Sequence, residues 1–225
     1  MKTIAYSPWG TGTHVGFLEK IFARSINAKK HGFTDADAFV LWGGQDIHPS
    51  YYGQRRGPNS QAWDKPTERD IWEWQAMKYC KAHNIPIIGI CRGAQFMCAF
   101  SGGKLIQHVN NHSGADHPVV CADGEMFDVT SCHHQMLDLT DTDGELLAWT
   151  PNNRSTLYYG QSAETPEHLQ KALAAGTFKE PEIVYFPGIN GLAIQGHPEW
   201  ANINGSFVKK CLDYINLYLL EEVTT

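Results

Sequence analysis

Gly89-Ile90-Cys91-Arg92-Gly93-Ala94, in the middle of the chain, is the stretch whose reading decides the fold. It follows Ile85-Pro86-Ile87-Ile88, an apolar run that reads as a short buried strand. It leads into Gln95-Phe96-Met97-Cys98-Ala99-Phe100, which has helical spacing and stops at Ser101-Gly102-Gly103. The stretch is therefore a strand, a tight corner and a helix. Glycines on either side of one residue allow a strained backbone and close strand-to-helix packing, and they push the side chain between them out at the strand's carboxyl end. A thiol placed there also sits at a helix amino terminus, where the dipole and unpaired N–H groups favour thiolate. Cys91 is thus a candidate nucleophile, although a GxCxG alone also fits a small buried residue in a crowded turn.

Working outward, the flanking sequence repeats the strand-and-helix theme. Met1 to Tyr6 reads as a first strand, and Val15, Leu18, Phe22 and Ile26 form a helical stripe over 15–28. Asp37 to Trp42 is a second strand, ended by Gly43-Gly44. A glycine pair after a buried strand fits either an ordinary turn or backbone that must approach a ligand with its N–H groups free for an anion. Residues 45–65 read as a long loop, and Thr67-Glu68-Arg69-Asp70 opens a helix with Thr67 as its N-cap. Downstream of the elbow, short strands are expected at Lys104–His108, Pro118–Cys121, Met126–Ser131, Leu146–Trp149, Glu182–Phe186 and Gly191–Gln195. Helices are expected at Pro166–Ala175 and Gly205–Leu220. Alternation early and a hairpin-like region later imply an α/β fold with a mostly parallel, doubly wound sheet.

The 225 residues suit one filled domain, read as 1–225, with no linker dividing it. A formal net charge of -6 with scattered Lys and Arg gives no nucleic-acid footprint. No 18-residue apolar run suggests a membrane span, and the amino terminus lacks a signal-peptide pattern, so a cytoplasmic location is expected. Six cysteines without a CxxC or a regular framework fit reduced thiols.

A nucleophilic thiol requires a base. Gln195-Gly196-His197-Pro198-Glu199 supplies one: His197 follows an apolar strand, and Glu199 two residues on is placed to orient the ring. A His-Pro-Glu taken alone is equally a surface turn. Its arrival after a strand of the same sheet as the elbow favours the order Cys91, His197, Glu199.

Taken together, Leu41-Trp42-Gly43-Gly44-Gln45-Asp46, Arg69-Asp70, the Cys91 elbow with Gly102-Gly103, Ser131-Cys132-His133-His134-Gln135 and the His197 segment resemble the class I glutamine amidotransferases. The γ-glutamyl-γ-aminobutyrate hydrolase type, a peptidase family C26-like branch, is the nearest in pattern. The resemblance implies a flavodoxin-like three-layer α/β/α sandwich and a Cys91–His197–Glu199 triad cleaving the γ-amide of glutamine or of a γ-glutamyl compound through a thioester. It implies an oxyanion hole from the N–H groups of Gly44 and Arg92, and substrate contacts from Gln95, Ser131 and one of His133 and His134, with the choice between the two histidines open. It implies no cofactor, and a separate synthetase subunit that uses any ammonia released. Two alternatives stand beside the glutaminase reading: a stand-alone γ-glutamyl hydrolase, and a catalytically silent partner-binding relative.

The sequence departs from the family pattern in several places, an amino-terminal region shorter than that of the γ-glutamyl-γ-aminobutyrate hydrolases among them. Trp42 stands where the family has proline before Gly-Gly, and Val129-Thr130-Ser131 replaces Val-Asn-Ser. Residues 151–187, with the pair Tyr158-Tyr159, replace a short acidic hairpin and fit either a lid or docking surface or a helix that packs on the sheet as a core element. His108, His112, His117, His133 and His134 crowd one span, but their spacing fits no simple metal motif, and no metal is expected.

Overall fold

The computed structural model describes residues 1–10, 15–114 and 116–221. In chain order the elements are β1 (Thr3–Tyr6), β2 (Arg24–Asn27), α1 (Ala28–His31), β3 (Ala38–Leu41), α2 (Glu68–Ala82), β4 (Ile87–Ile90), α3 (Arg92–Phe100), β5 (Lys104–Ile106), β6 (His108–Val109), β7 (His117–Cys121), β8 (Met126–Val129), β9 (Met136–Asp138), β10 (Glu145–Trp149), β11 (Tyr158–Tyr159), α4 (Glu167–Ala174), β12 (Pro181–Phe186), β13 (Gly191–Ile194) and α5 (Ser206–Tyr214). Beyond Tyr214 the last helix loosens into a π-helical stretch, Ile215–Leu220.

Among the described residues, nine strands form one sheet in the order β2-β1-β3-β4-β13-β12-β10-β7-β8. The half that carries the elbow is parallel, from β2 through β13. From β13 onward neighbours are antiparallel, which matches the hairpin-like region expected downstream. Side-chain alternation along the strands splits the core in two. Ile4, Val40, Ile88 and Leu192 pack beneath α5, while Ala5, Phe39, Leu41 and Ile87 pack beneath α2 and α3. Covering both faces requires strands that are apolar throughout, and β3, β4 and β13 are buried at every position. The result is the expected three-layer α/β/α sandwich.

The helix expected over 15–28 is not formed. Gly16–Lys20 makes a short 3-10 turn, and Arg24–Asn27 pairs parallel with β1 as the edge strand β2. Phe22 and Ile26 are still buried, so the apolar stripe is satisfied by a turn and a strand instead of one helix face. No helix among the described residues is long and apolar enough to cross a membrane.

Candidate functional site

The corner between β4 and α3 places Cys91 at φ 50°, ψ −104°, a region that residues with a Cβ rarely occupy. Two backbone hydrogen bonds hold it: Cys91 N donates to Ile194 O at 2.8 Å, and Gln95 N donates to Cys91 O at 3.1 Å. The flanking glycines are needed for space. A Cβ on Gly89 would lie 2.4 Å from the Met97 sulfur and 2.7 Å from the Gly93 carbonyl oxygen, and one on Gly93 would lie 2.5 Å from Leu41 O. The strand and helix therefore pack closer than any other residue pair would permit.

The thiol is not set up as a resting thiolate. Burial pushes Cys91 up to about 12; the Arg92 backbone N–H pulls the other way, and the carboxylates of Glu199 and Asp46 add to the rise. Contrary to the sequence expectation, desolvation outweighs the helix terminus, so the sulfur needs a base to take its proton.

That base candidate lies just beyond the end of the neighbouring strand, β13. β13 pairs in parallel with β4, Ile194 opposite Ile90, so the chain leaves both strands at the same edge of the sheet. His197 is buried and held on three sides. Its backbone N–H donates to Thr130 Oγ1 at 2.8 Å, its carbonyl accepts from the same hydroxyl at 2.8 Å, and its ring stacks on Trp200 at 3.7 Å and 4°. Nδ1 donates to Glu199 Oε1 at 2.8 Å, which leaves Nε2 as the ring's free basic atom. Thr130, the departure from the family's asparagine, is thus the clamp on the histidine backbone.

The Gly43-Gly44 loop is tied to α2 by a guanidinium. Arg69 Nη2 donates to Trp42 O at 2.7 Å, Nη1 donates to Gly43 O at 3.2 Å, and Nε donates to Glu73 Oε1 at 3.0 Å. Gly44 has φ +145°, and a Cβ there would lie 2.5 Å from Arg69 Nη1. Arg92 turns its side chain away from the corner into the same network, paired with Asp70 and Glu73, and Ser7 Oγ donates to Glu73 at 2.6 Å. Burial and the neighbouring Arg92 charge pull Arg69 down to about 10. Asp70 also closes a capping box with Thr67, so the start of α2 and the loop are one unit. Arg69 and Asp70 were visible in the sequence as a motif. Glu73, which joins the two guanidiniums, carried no signal beyond helical spacing from Arg69.

The expected substrate-binding residues separate into two groups. Gln95, on α3, is buried and donates through Nε2 to Gln135 O at 3.2 Å. His134 lies at the loop, with Nε2 3.0 Å from Asp46 Oδ1 and its side chain partly exposed. Beside it opens a cleft of about 300 Å³ lined by Asp46, Arg69, Asp70 and Arg92, with Trp9 and Trp63 among its walls. Ser131 and His133 face inward instead. Ser131 Oγ donates to His112 O, and His133 Nδ1 donates to Gln135 O at 2.9 Å. Burial pulls His133 down to about 4, so its ring is neutral. Its other nitrogen points at a buried group of His112, His117 and Glu182, a cluster the sequence spacing did not suggest.

Of the two readings of residues 151–187, a lid or docking surface and a packed core element, Tyr158 fits the second. Tyr158 is 4% exposed, packs with Leu169 and Val109, and donates its hydroxyl to Glu180 Oε1 at 2.8 Å. The segment is built on the core through β11 and α4, and of the tyrosine pair Tyr159 is the partly exposed member.

A family model described as Peptidase C26 matches residues 22–122, which take in the Gly43-Gly44 loop and the elbow. A putative glutamine amidotransferase of Mycobacterium tuberculosis is 36% identical over 121 residues, covering 45% of this chain and 38% of the relative. The carbamoyl phosphate synthase small chain of Buchnera aphidicola is 27% identical over 150 residues, covering 67% of this chain and 33% of that one. A solved structure of a putative GMP synthase component from Thermoplasma acidophilum superimposes with a TM-score of 0.58 at 17% identity, covering 96% of this chain and 97% of the other. The chain spans about a third of the length of the curated relatives it matches, with 29%, 38% and 35% of three of them aligned.

In fold the chain is similar to class I glutamine amidotransferases, and over residues 22–122 it is similar to the Peptidase C26 family.

Proposed function

We propose that the chain is a cysteine hydrolase of the amidotransferase type that cleaves the γ-amide of glutamine. One observation carries the reading: a strained, buried cysteine at the end of β4 lies beside a parallel strand, in register, that delivers a carboxylate-oriented histidine to the same sheet edge. His197 Nε2 takes the thiol proton as Cys91 Sγ attacks the amide carbon, because the thiol at about 12 does not ionise unaided near neutral pH. Glu199 holds the ring and stabilises the imidazolium. The backbone N–H groups of Gly44 and Arg92 receive the oxyanion, each such donor being worth roughly 2.7 to 4 kcal/mol of barrier. His197 returns the proton to the departing nitrogen, ammonia leaves, and water attacks the γ-glutamyl thioester with the same histidine as base. Gln95 and His134 line the acyl-binding side, with Ser131 and His133 as supports behind it.

The likeness to a carbamoyl phosphate synthase small chain and to a GMP synthase component supports a partner synthetase as consumer of the ammonia. The Peptidase C26 match favours a second reading, a stand-alone hydrolase of γ-glutamyl amines. A turnover panel separates them. Glutamine and a set of γ-glutamyl amines are offered to the wild type and to Cys91→Ala, with glutamate and released amine measured. Cleavage of glutamine by the wild type alone is the expected result. Cleavage confined to γ-glutamyl amines selects the second reading, and turnover by Cys91→Ala at the wild-type rate overturns both.

A further inference from the structure

Behind the site, three segments of the antiparallel half bring their side chains to one dry point. His112 comes from the loop before β7, His133 from the loop after β8, and Glu182 from β12. They are 0%, 4% and 2% exposed, and one ligand atom from each lies within 4.8 Å of the others. Four polar atoms of the cluster and its neighbour have no hydrogen-bond partner among the described residues: His112 Nδ1, His117 Nδ1, His133 Nε2 and Glu182 Oε2. Unpartnered buried polar atoms are costly, and here several converge.

The hydrogen bonds that are made fix which atoms stay free. His133 Nδ1 carries the proton it gives to Gln135 O, so Nε2 holds a lone pair, and that lone pair faces Glu182 Oε1 at 3.9 Å. His112 Nε2 donates to Glu180 Oε2 at 3.1 Å, which leaves Nδ1 turned to Glu182 Oε1 at 3.5 Å. Two acceptors facing each other repel unless a cation stands between them. A proton on His112 Nδ1 would answer one of these contacts and leave His133 Nε2 and Glu182 Oε2 bare. A metal ion answers His112 Nδ1, His133 Nε2 and the Glu182 carboxylate together, with His117 Nδ1 outside its reach.

We infer that His112 Nδ1, His133 Nε2 and the Glu182 carboxylate form a buried binding site for a divalent transition metal, zinc being the ion that two imidazoles and a carboxylate suit best. The separations of 3.5 and 3.9 Å are close to the spacing of about 3.3 to 3.5 Å between ligands that tetrahedral geometry gives for metal–ligand bonds near 2.0 to 2.1 Å. The outer ring is also of the kind metal sites use: each ligating imidazole gives its other N–H to a carboxylate or a backbone carbonyl. His117 Nε2 donates to Glu182 Oε1 at 2.9 Å and so orients the carboxylate. Glu180, which holds His112, is itself fixed by Thr150 Oγ1, the N–H groups of Arg154 and Ser155, and Tyr158. The site joins separate segments of the chain. It ties the 131–135 segment, whose Gln135 carbonyl also receives Gln95 of the elbow helix, to the central sheet.

The test is independent of any turnover. Protein purified without a histidine tag, loaded with zinc and passed through gel filtration should carry about one zinc per chain by elemental analysis. His133→Ala and Glu182→Gln should bind zinc at least about tenfold more weakly, while His31→Ala and His83→Ala, on the surface, should match the wild type. Dipicolinate should lower the melting temperature of the wild type, and zinc should restore it. Cobalt-loaded wild type should show visible d–d bands without intense near-ultraviolet thiolate charge transfer; this measurement needs no variant to fold. A strong thiolate band, wild type that retains no zinc after loading, or undiminished zinc in both ligand variants would overturn the assignment.

Discussion

Cys91 combines two demands that oppose each other, a positive φ that suits glycine and a side chain that the proposed chemistry needs. Holding a non-glycine residue there costs on the order of 1 to 3 kcal/mol. Cys91→Ala keeps the strain and Cys91→Gly releases it. Both should lack turnover, yet the glycine variant should unfold at a higher urea concentration, by about 1 kcal/mol of stability. A glycine variant less stable than the alanine one would mean the corner is not strained at this residue. His197→Asn should cost nearly as much activity as loss of the thiol. Glu199→Gln should cost less, because it orients the ring without transferring the proton; steady-state kcat for the two variants decides between these roles. Alkylation needs a further control. Cys132 is the exposed cysteine and the other five are buried, so iodoacetamide should reach Cys132 first. Glutamine protection of Cys91 is therefore to be read by mass spectrometry on a Cys132→Ser background.

At the scale of elements, α2 and its loop depend on one carboxylate. Glu73 is fully buried between the guanidiniums of Arg69 and Arg92, and Glu73→Gln leaves two like charges short of a counter-ion. The expected loss is about 3 to 5 kcal/mol, read from the urea midpoint, with Gly43 and Gly44 released from α2 as well. In the 151–187 segment, Tyr158→Ala should cost roughly 3 kcal/mol and Tyr159→Ala well under 1, since only the first fills a core position. The elements around the elbow were legible because each combined a pattern with a punctuation mark: the apolar run ending at Ile88 before Gly89, and Thr67 three residues before Asp70. β2 was not, because Val15, Leu18, Phe22 and Ile26 satisfy helical spacing while the outer face of an edge strand leaves Arg24 and Ser25 exposed. The buried histidines were visible one by one. Their convergence was not, since Glu182 is about fifty residues further along in sequence and looks like any polar residue at the start of a strand.

For the whole molecule, the buried thiols set an alkaline limit. Unfolded cysteines titrate near 8.5, whereas burial holds Cys80 and Cys91 up to about 12 and raises Cys98, Cys121 and Cys211 as well. Between those values the unfolded chain releases protons that the native state keeps. Stability is therefore intact below about pH 8 and falls as pH rises toward 12, by roughly 1 to 2 kcal/mol for each fully buried thiol by pH 10. Urea midpoints at pH 8 and pH 10 measure the loss, and Cys98→Ala should make it smaller. A midpoint that does not move would show that these thiols ionise freely in the native state.

The pairing of β4 with β13, Ile87 opposite Gly191, has a consequence for the order in which the protein is made. A ribosome delivers the nucleophile corner about a hundred residues before the strand that must lie beside it. Throughout that interval one side of β4 has no native neighbour, its apolar backbone edge open to other nascent chains. Every interrupted product that stops between the two strands keeps that exposed edge and lacks the histidine. Such fragments should be found in the pellet, and the yield of soluble full-length protein should rise when translation of residues 100–190 is faster.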